Sequence, residues 1–198
     1  MKKIQFSSIL VSLIAFLSAT TSYAQLSLTA ERPNLTAGDS WTYRVLDGWS
    51  GAEQSQVTRI FLEKNGDRLK FSRTNDPSDS DPFENLDMNS CRSLKNSTEV
   101  TCAGPFSFPL TVDQKITYEN QVFFNRLGHA AGTCSVKAIE KITVPAGTFD
   151  TFRMDCSEQW IRKLEGSGGG TTKYTIWYSP IVKRSVKTHT QVTWNSKL

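Results

Sequence analysis

The sequence predicts an all-β fold, a curved antiparallel sheet in mostly meandering order that forms a half-open or nearly closed barrel. Three observations carry this. Short runs alternate apolar and polar residues with a period of two, most clearly between Ser135 and Trp160. Turn signals separate the runs: Asn65-Gly66, Pro145-Ala146-Gly147 and the glycine-rich stretch 166–170. Past the N-terminal leader no stretch has a helical period, and about nine or ten strands are expected.

The leader comes first. Met1-Lys2-Lys3 is a short basic start, Ile4 to Leu17 is largely apolar, and Ser22-Tyr23-Ala24 fits the small-x-small cleavage rule. Residues 1–24 therefore read as a signal peptide cut after Ala24, with an uncleaved anchor as the alternative. No cysteine stands at the cut, which argues against a lipoprotein signal. Cleavage would leave 174 of the 198 residues, 25–198, enough for a single β domain with a real core. No second long apolar run exists, so no membrane span is expected after cleavage, and the expected location is periplasmic or secreted. Without Lys2 and Lys3 the chain has 21 basic and 19 acidic residues, interleaved. A net charge of +2 is too weak to argue for nucleic acid.

Pro33 to Val45 reads as a polar lead-in and a strand with Trp41, Tyr43 and Val45 on one face. Asp47-Gly48-Trp49-Ser50-Gly51 follows as a loop. Trp49 is a candidate exposed contact for a sugar ring or a partner, although such a ring more often folds back over the edge of a core. Val57 to Arg73 forms a hairpin about Asn65-Gly66. This pairs Lys64 with Asp67, Glu63 with Arg68, Leu62 with Leu69 and Ile60 with Phe71, the last four forming the buried face while Phe61 points away.

Residues 75–89 are rich in proline and carboxylate. Asp76, Asp79, Asp81, Glu84 and Asp87 lack the glycine and terminal glutamate of a helical calcium loop, so a solvated acidic loop is the favoured reading and no metal is assigned. Cys91 to Cys102 reads as a small hairpin about Asn96-Ser97 that places its two cysteines opposite each other. The four cysteines are separated by 10, 31 and 21 residues, which fits no zinc pattern. They allow three pairings, of which Cys91–Cys102 and Cys134–Cys156 are preferred, each contributing up to ~3 kcal/mol by loop entropy.

Leu110-Thr111 and Ile116-Thr117-Tyr118 echo Leu35-Thr36 and Trp41-Thr42-Tyr43 at an offset of 75 residues. The echo suggests an internal duplication over 35–74 and 110–198. Gln121 to Leu127 continues as a strand, and residues 127–132 read as a loop carrying His129. In the central hairpin Val136, Ala138, Ile142 and Val144 alternate with polar residues, with Ile139 and Glu140 out of pattern. Opposite them stand Phe152, Met154, Cys156 and Trp160. A three-residue turn, Pro145-Ala146-Gly147, sets Val144 against Thr148 and Val136 against Cys156. Cys134 and Cys156 are then diagonal neighbours, roughly 7–8 Å apart. A bulge near either cysteine would close that gap, or Cys134 bonds elsewhere. Residues 166–170 form a hairpin loop rather than a phosphate cradle, and Thr171 to Ser179 is the next strand. Lys183 to Trp194 is the last, with Val186, Val192 and Trp194 facing in.

The run VPAGTFDTFRMDC, followed by Trp177-Tyr178-Ser179-Pro180 and Val186-Lys187, resembles a TapB-like family of secreted bacterial β-proteins of unknown function. Gly38-Asp39-Ser40-Trp41-Thr42-Tyr43 is similar to that family's opening motif. The resemblance covers most of residues 25–198 and implies a secreted β fold, with no catalytic residue to carry over. A glycine often follows W-Y-x-P in that family, whereas Ile181-Val182-Lys183-Arg184 stands here.

The sequence holds no recognisable nucleophile or metal motif, so no catalytic residue and no cofactor is assigned. Inward aromatic residues either fill the core or line a cavity; Trp41, Tyr43, Tyr118, Phe152, Trp160 and Trp194 are the candidate ligand contacts. Three functions are carried forward. The first is a non-catalytic exported module binding a lipid-like or other apolar or amphipathic small molecule. The second is an envelope module that binds another protein through Trp49 or the acidic loop. The third is a hydrolase using Glu140 or Glu158, both placed by the register on the apolar face of the central hairpin, which predicts a cleft with both carboxylates accessible.

Overall fold

A computed structural model describes residues 28–74, 83–93, 100–123, 126–162 and 168–195, whose strands form three antiparallel sheets. The leader, the turn at Asn96-Ser97 and most of the acidic stretch lie outside the described residues. The strands are β1 (Thr29–Ala30), β2 (Ser40–Leu46), β3 (Glu53–Asn65), β4 (Arg68–Arg73), β5 (Phe83–Glu84), β6 (Ser90–Ser93), β7 (Val100–Ala103), β8 (Leu110–Thr111), β9 (Lys115–Phe123), β10 (Arg126–Val144), β11 (Gly147–Arg162), β12 (Gly169–Ser179) and β13 (Arg184–Asn195). Strands β2 to β7 form one meander, β9 to β13 a second, and β1 pairs with β8. The described residues are all-β and the sheets do not close, so the curved, half-open architecture read from the pattern holds. The described residues hold thirteen strands rather than nine or ten because β1, β5 and β8 have two residues each, too few to show a period.

The two meanders enclose one core. Phe61, Leu69 and Phe71 come from the first, Val136, Phe152, Met154, Ile176 and Tyr178 from the second, with Leu110 between. Phe106 and Phe108 stack on each other and meet Tyr178 edge-on. At one margin the turn after β12 docks on β2: Trp41 Nε1 donates to the Val182 carbonyl at 2.8 Å, and Lys183 Nζ lies 2.9 Å from Asp39 Oδ2.

Both long hairpins depart from the expected register for the same reason. In β10–β11 the turn has two residues, Pro145 and Ala146, with Val144 opposite Gly147, whose φ is 136°. A bulge between Val136 and Ala138 then shifts the pairing again. Val136 faces Met154 rather than Cys156, and Cys134 faces Cys156 directly. The bulge also explains the two exceptions in the pattern, because it turns Ile139 towards Phe152 and the core and sends Glu140 to the other face. In β3–β4 the turn is Gly66-Asp67, with Asn65 opposite Arg68, and a bulge falls between Phe61 and Glu63. Phe61 is buried against Phe71 and Leu62 is exposed, the reverse of the expected faces. The shift buries Phe61 in place of Leu62, and the larger ring removes more apolar surface from water.

The segments 75 residues apart share more than sequence. Trp41 pairs with Arg59 as Ile116 pairs with Cys134, and Tyr43 with Val57 as Tyr118 with Gly132. The turns before β2 and β9 match: Thr36 N–H bonds Asp39 Oδ2 at 2.9 Å, and Thr111 N–H bonds Gln114 Oε1 at 3.1 Å. Gly38 and Asp113 both take positive φ, and their N–H groups bond the Phe61 and Val136 carbonyls, each just before its bulge.

Two further expectations change. Residues 127–132 belong to β10 rather than to a loop, and His129 Nε2 lies 3.8 Å from Glu119 Oε2. Val192 and Trp194 are 47% and 57% exposed instead of facing in. They lie late on β13, the edge strand of its sheet, of which only the start, from Arg184, meets the other meander.

Candidate functional site

The first half of the core ends in a buried ion cluster. Glu84, on the two-residue strand β5, is 3% exposed. It accepts Arg184 Nη1 at 2.6 Å and Nη2 at 3.0 Å in a fork, and Arg59 Nη2 lies 2.7 Å from its Oε1. Arg184 opens β13, and Arg59 sits at an inward position of β3 between Val57 and Phe61. Both guanidinium groups lie over the Phe71 ring, at 4.8 Å and 4.9 Å from its centroid, and Arg184 also faces Trp41. Burial works to lower the pKa of Arg184, but the hydrogen bond and charge of Glu84 outweigh it and leave the group above its ordinary value. Burial pulls Arg59 below its ordinary value, opposed by Glu84 and assisted by Arg184. Tyr43 is raised, chiefly by burial.

This cluster forms the polar end of a groove of about 490 Å³ between the start of β13 and the concave face of the first meander. Val45, Val57, Met88 and Phe106 supply apolar walls, and Tyr43, Arg59, Arg73, Glu84 and Arg184 supply polar ones. The concave face is thus plugged by side chains around Phe71 and open beyond Tyr43. A volume in this range suits a small ligand.

A second polar cluster lies at the matched place of the other meander. Tyr118 donates to Glu158 Oε2 at 2.9 Å and is bonded to the Tyr174 hydroxyl. Burial raises both phenols, with Tyr174 pushed up to about 12. Tyr118 lies over Gly132, where a Cβ would stand 2.2 Å from its ring. The Tyr174 hydroxyl also touches Cys134 Sγ at 3.9 Å. Nearby, a depression of about 600 Å³ on the opposite, polar face of β9–β11 is lined by Thr117, Glu119, Thr133 and Gln159. Tyr118 is its one aromatic lining residue and no cation lines it, so it offers less chemistry than the groove.

Of the six aromatic candidates, Tyr43 lines the groove and Trp41 packs behind it. Phe152 is fully buried core, and Tyr118 belongs to the second cluster. Trp160, also buried, meets Trp194 edge-on at 4.7 Å, away from the groove. Both preferred disulfides are present, Cys91–Cys102 and Cys134–Cys156, and they fit an oxidising compartment. Among the described residues no helix is long and apolar enough to cross a membrane.

Trp49 does not fold back: it is 99% exposed. Asp47 Oδ1 accepts the Trp49 and Ser50 N–H groups, which fixes the loop with the ring outward. The acidic stretch is not wholly solvated either, since Glu84 is buried and Asp87 pairs with Arg32 at 2.8 Å. Glu140 and Glu158 were expected on one face and stand on opposite ones. The bulge sends Glu140 to Trp177, whose Nε1 donates to it at 2.5 Å, while Glu158 turns inward to Tyr118. They share no cleft, which removes the geometry that a two-carboxylate hydrolase requires.

The residues missed by sequence reasoning are Arg59, Arg73, Glu84 and Arg184. Arg59 carried a readable signal, a charge at an inward position of a strand; Glu84 and Arg184 are joined only by the fold. Compared with known protein families, with curated proteins and with solved structures, the chain finds no match.

Proposed function

We propose that this chain is a non-catalytic, exported binding module, periplasmic or secreted, that takes an amphipathic small molecule in the groove beyond Tyr43. The observation that carries this reading is the pairing of apolar walls with a buried ion cluster at one end of the same opening. A packed core has no use for an opening of that size, and a purely polar surface would not line it with Val45, Val57 and Phe106. Titration with the neutral apolar dye N-phenyl-1-naphthylamine tests it. Saturable fluorescence enhancement that Val57→Trp abolishes, in a variant that keeps wild-type stability, is the expected result. Absence of saturable binding to the wild type sinks the reading.

A second reading is favoured by Trp49, whose ring offers almost its whole surface to a protein partner. Here partners co-purify from the envelope and are lost with Trp49→Ala. Unchanged recovery counts against it.

A further inference from the structure

We infer that the ligand of the groove carries a single anionic headgroup, a carboxylate or a phosphate monoester on an apolar chain, held by Arg59 beside Arg184. This rests on reading the groove as a ligand site and specifies what that site selects.

The charge balance is the first observation. Among the described residues the ion pairs of Arg59 and Arg184 converge on one carboxylate, Glu84. Two cations share one anion in a largely buried place, and a positive charge is left over. A charge taken from water without full compensation is costly, so such a surplus favours a compensating anion. The donors are the second. Glu84 occupies both Arg184 Nη atoms and one Arg59 Nη atom, while Arg59 Nε is buried and makes no hydrogen bond among the described residues. A guanidinium fork matches the oxygens of a carboxylate or phosphate, and Arg59, 28% exposed, is the one that reaches the opening.

The third observation is comparative and lies within the chain. Arg59 stands directly opposite Arg73 across β3–β4, and both line the groove. The matched pair in the other meander is Cys134 and Cys156, a disulfide. The same backbone arrangement therefore accepts a stabilising crosslink in one half and gathers guanidinium groups in the other. Beyond the arginines, Val45, Val57 and Phe106 continue the groove as a path for an apolar chain. A neutral amphiphile would leave the charge unanswered, and a cationic one would be repelled.

Calorimetric titration of the full chain with decanoate, decyl phosphate, decanol and decyltrimethylammonium, each below its micelle concentration, tests this. The two anions are expected to bind at least about tenfold tighter than decanol, and the cation not at all. The relative affinities of decanoate and decyl phosphate then identify which headgroup fits. Arg59→Met is expected to remove the preference of the anions over decanol. Circular dichroism and urea denaturation check that the variant is folded. Decanol binding as tightly as the anions would overturn the inference and leave the binding module standing, as would anion affinity unmoved by Arg59→Met. Failure of all four compounds would overturn both.

Discussion

Replacing Glu84 by Gln should be among the most damaging single changes to this protein, although it alters almost no volume. Glu84 is 3% exposed and is the shared acceptor of two guanidinium groups at 2.6, 3.0 and 2.7 Å. Glutamine removes the charge and sets an amide N–H₂ against one guanidinium. Breaking a buried pair by neutralising one partner costs about 3–5 kcal/mol, because the other charge stays behind in a poor dielectric. Two cations are left here, but Arg59 is 28% exposed and can turn towards water. The expected loss therefore lies near the lower end, about 3 kcal/mol, which is a large share of the ~5–15 kcal/mol that holds a typical domain folded. Urea denaturation followed by tryptophan fluorescence measures it, with an unchanged slope showing that the unfolded state is not altered. The partner change Arg184→Met, made together with Glu84→Gln, removes both members of the forked pair and should recover at least about 1 kcal/mol relative to the sum of the single changes. A Glu84→Gln protein within about 1 kcal/mol of wild type, or strict additivity in the double variant, would refute the cluster as an electrostatic unit.

Two other outcomes follow from the second polar cluster. Tyr174 is held at about 12, above its ordinary value of 10, by burial, so the folded state keeps its proton when the unfolded chain has lost it. Its contribution is complete below pH 10 and disappears as pH rises from 10 through 12; urea titrations at pH 8 and 11 should show Tyr174→Phe losing less stability over that interval than wild type, by up to about 1.4 kcal/mol, and equal losses would contradict it. Gly132→Ala would place a methyl group 2.2 Å from the Tyr118 ring, which the Glu158 and Tyr174 contacts hold in place. It should cost about 1–3 kcal/mol alone and much less in a Tyr118→Ala background, and an equal cost in both backgrounds would show that the ring is not what excludes the side chain.

The fold class was legible because period-two alternation and turn residues are local signals. The Cys91–Cys102 pairing was legible because cross-strand register follows from turn position, whereas the expected register left Cys134 and Cys156 diagonal and the bulge brings them face to face. What escaped were the bulges. A single inserted residue at Lys137 or Leu62 reverses the facing of every residue beyond it, and the pattern shows this only as exceptions. Ile139 and Glu140 were such exceptions, and read together they mark the bulge. Missing it placed Glu140 and Glu158 on one face and gave the two-carboxylate reading a geometry that the strand does not have. The groove escaped for a different reason. Glu84 lies within an acidic run that looks solvated, and Arg184 follows a turn 100 residues later; nothing local to either predicts their meeting. Arg59 alone could have been suspected, since Val57, Arg59 and Phe61 share a face and only one of them is charged.

The matched meanders separate what the framework needs from what it carries. Both halves have the turn with positive φ, the pairing of Thr42 with Thr58 and of Thr117 with Thr133, and the bulge one residue after the inward Phe61 or Val136. Those features recur because each solves the same backbone problem of bending a long strand over a shared core. The inward cross-strand pair that precedes Val136–Met154 and Phe61–Phe71 does not recur: it is Cys134–Cys156 in one half and Arg59–Arg73 in the other. The backbone is satisfied by either, so it cannot be what selects arginine. The tyrosines diverge in the same way, Tyr118 meeting Glu158 and Tyr174 in a closed network and Tyr43 facing two guanidinium groups beside an opening. Where one half closes its site with a disulfide and phenols, the other leaves it cationic and accessible, and that asymmetry on a common framework is the strongest argument that the groove is there to receive something.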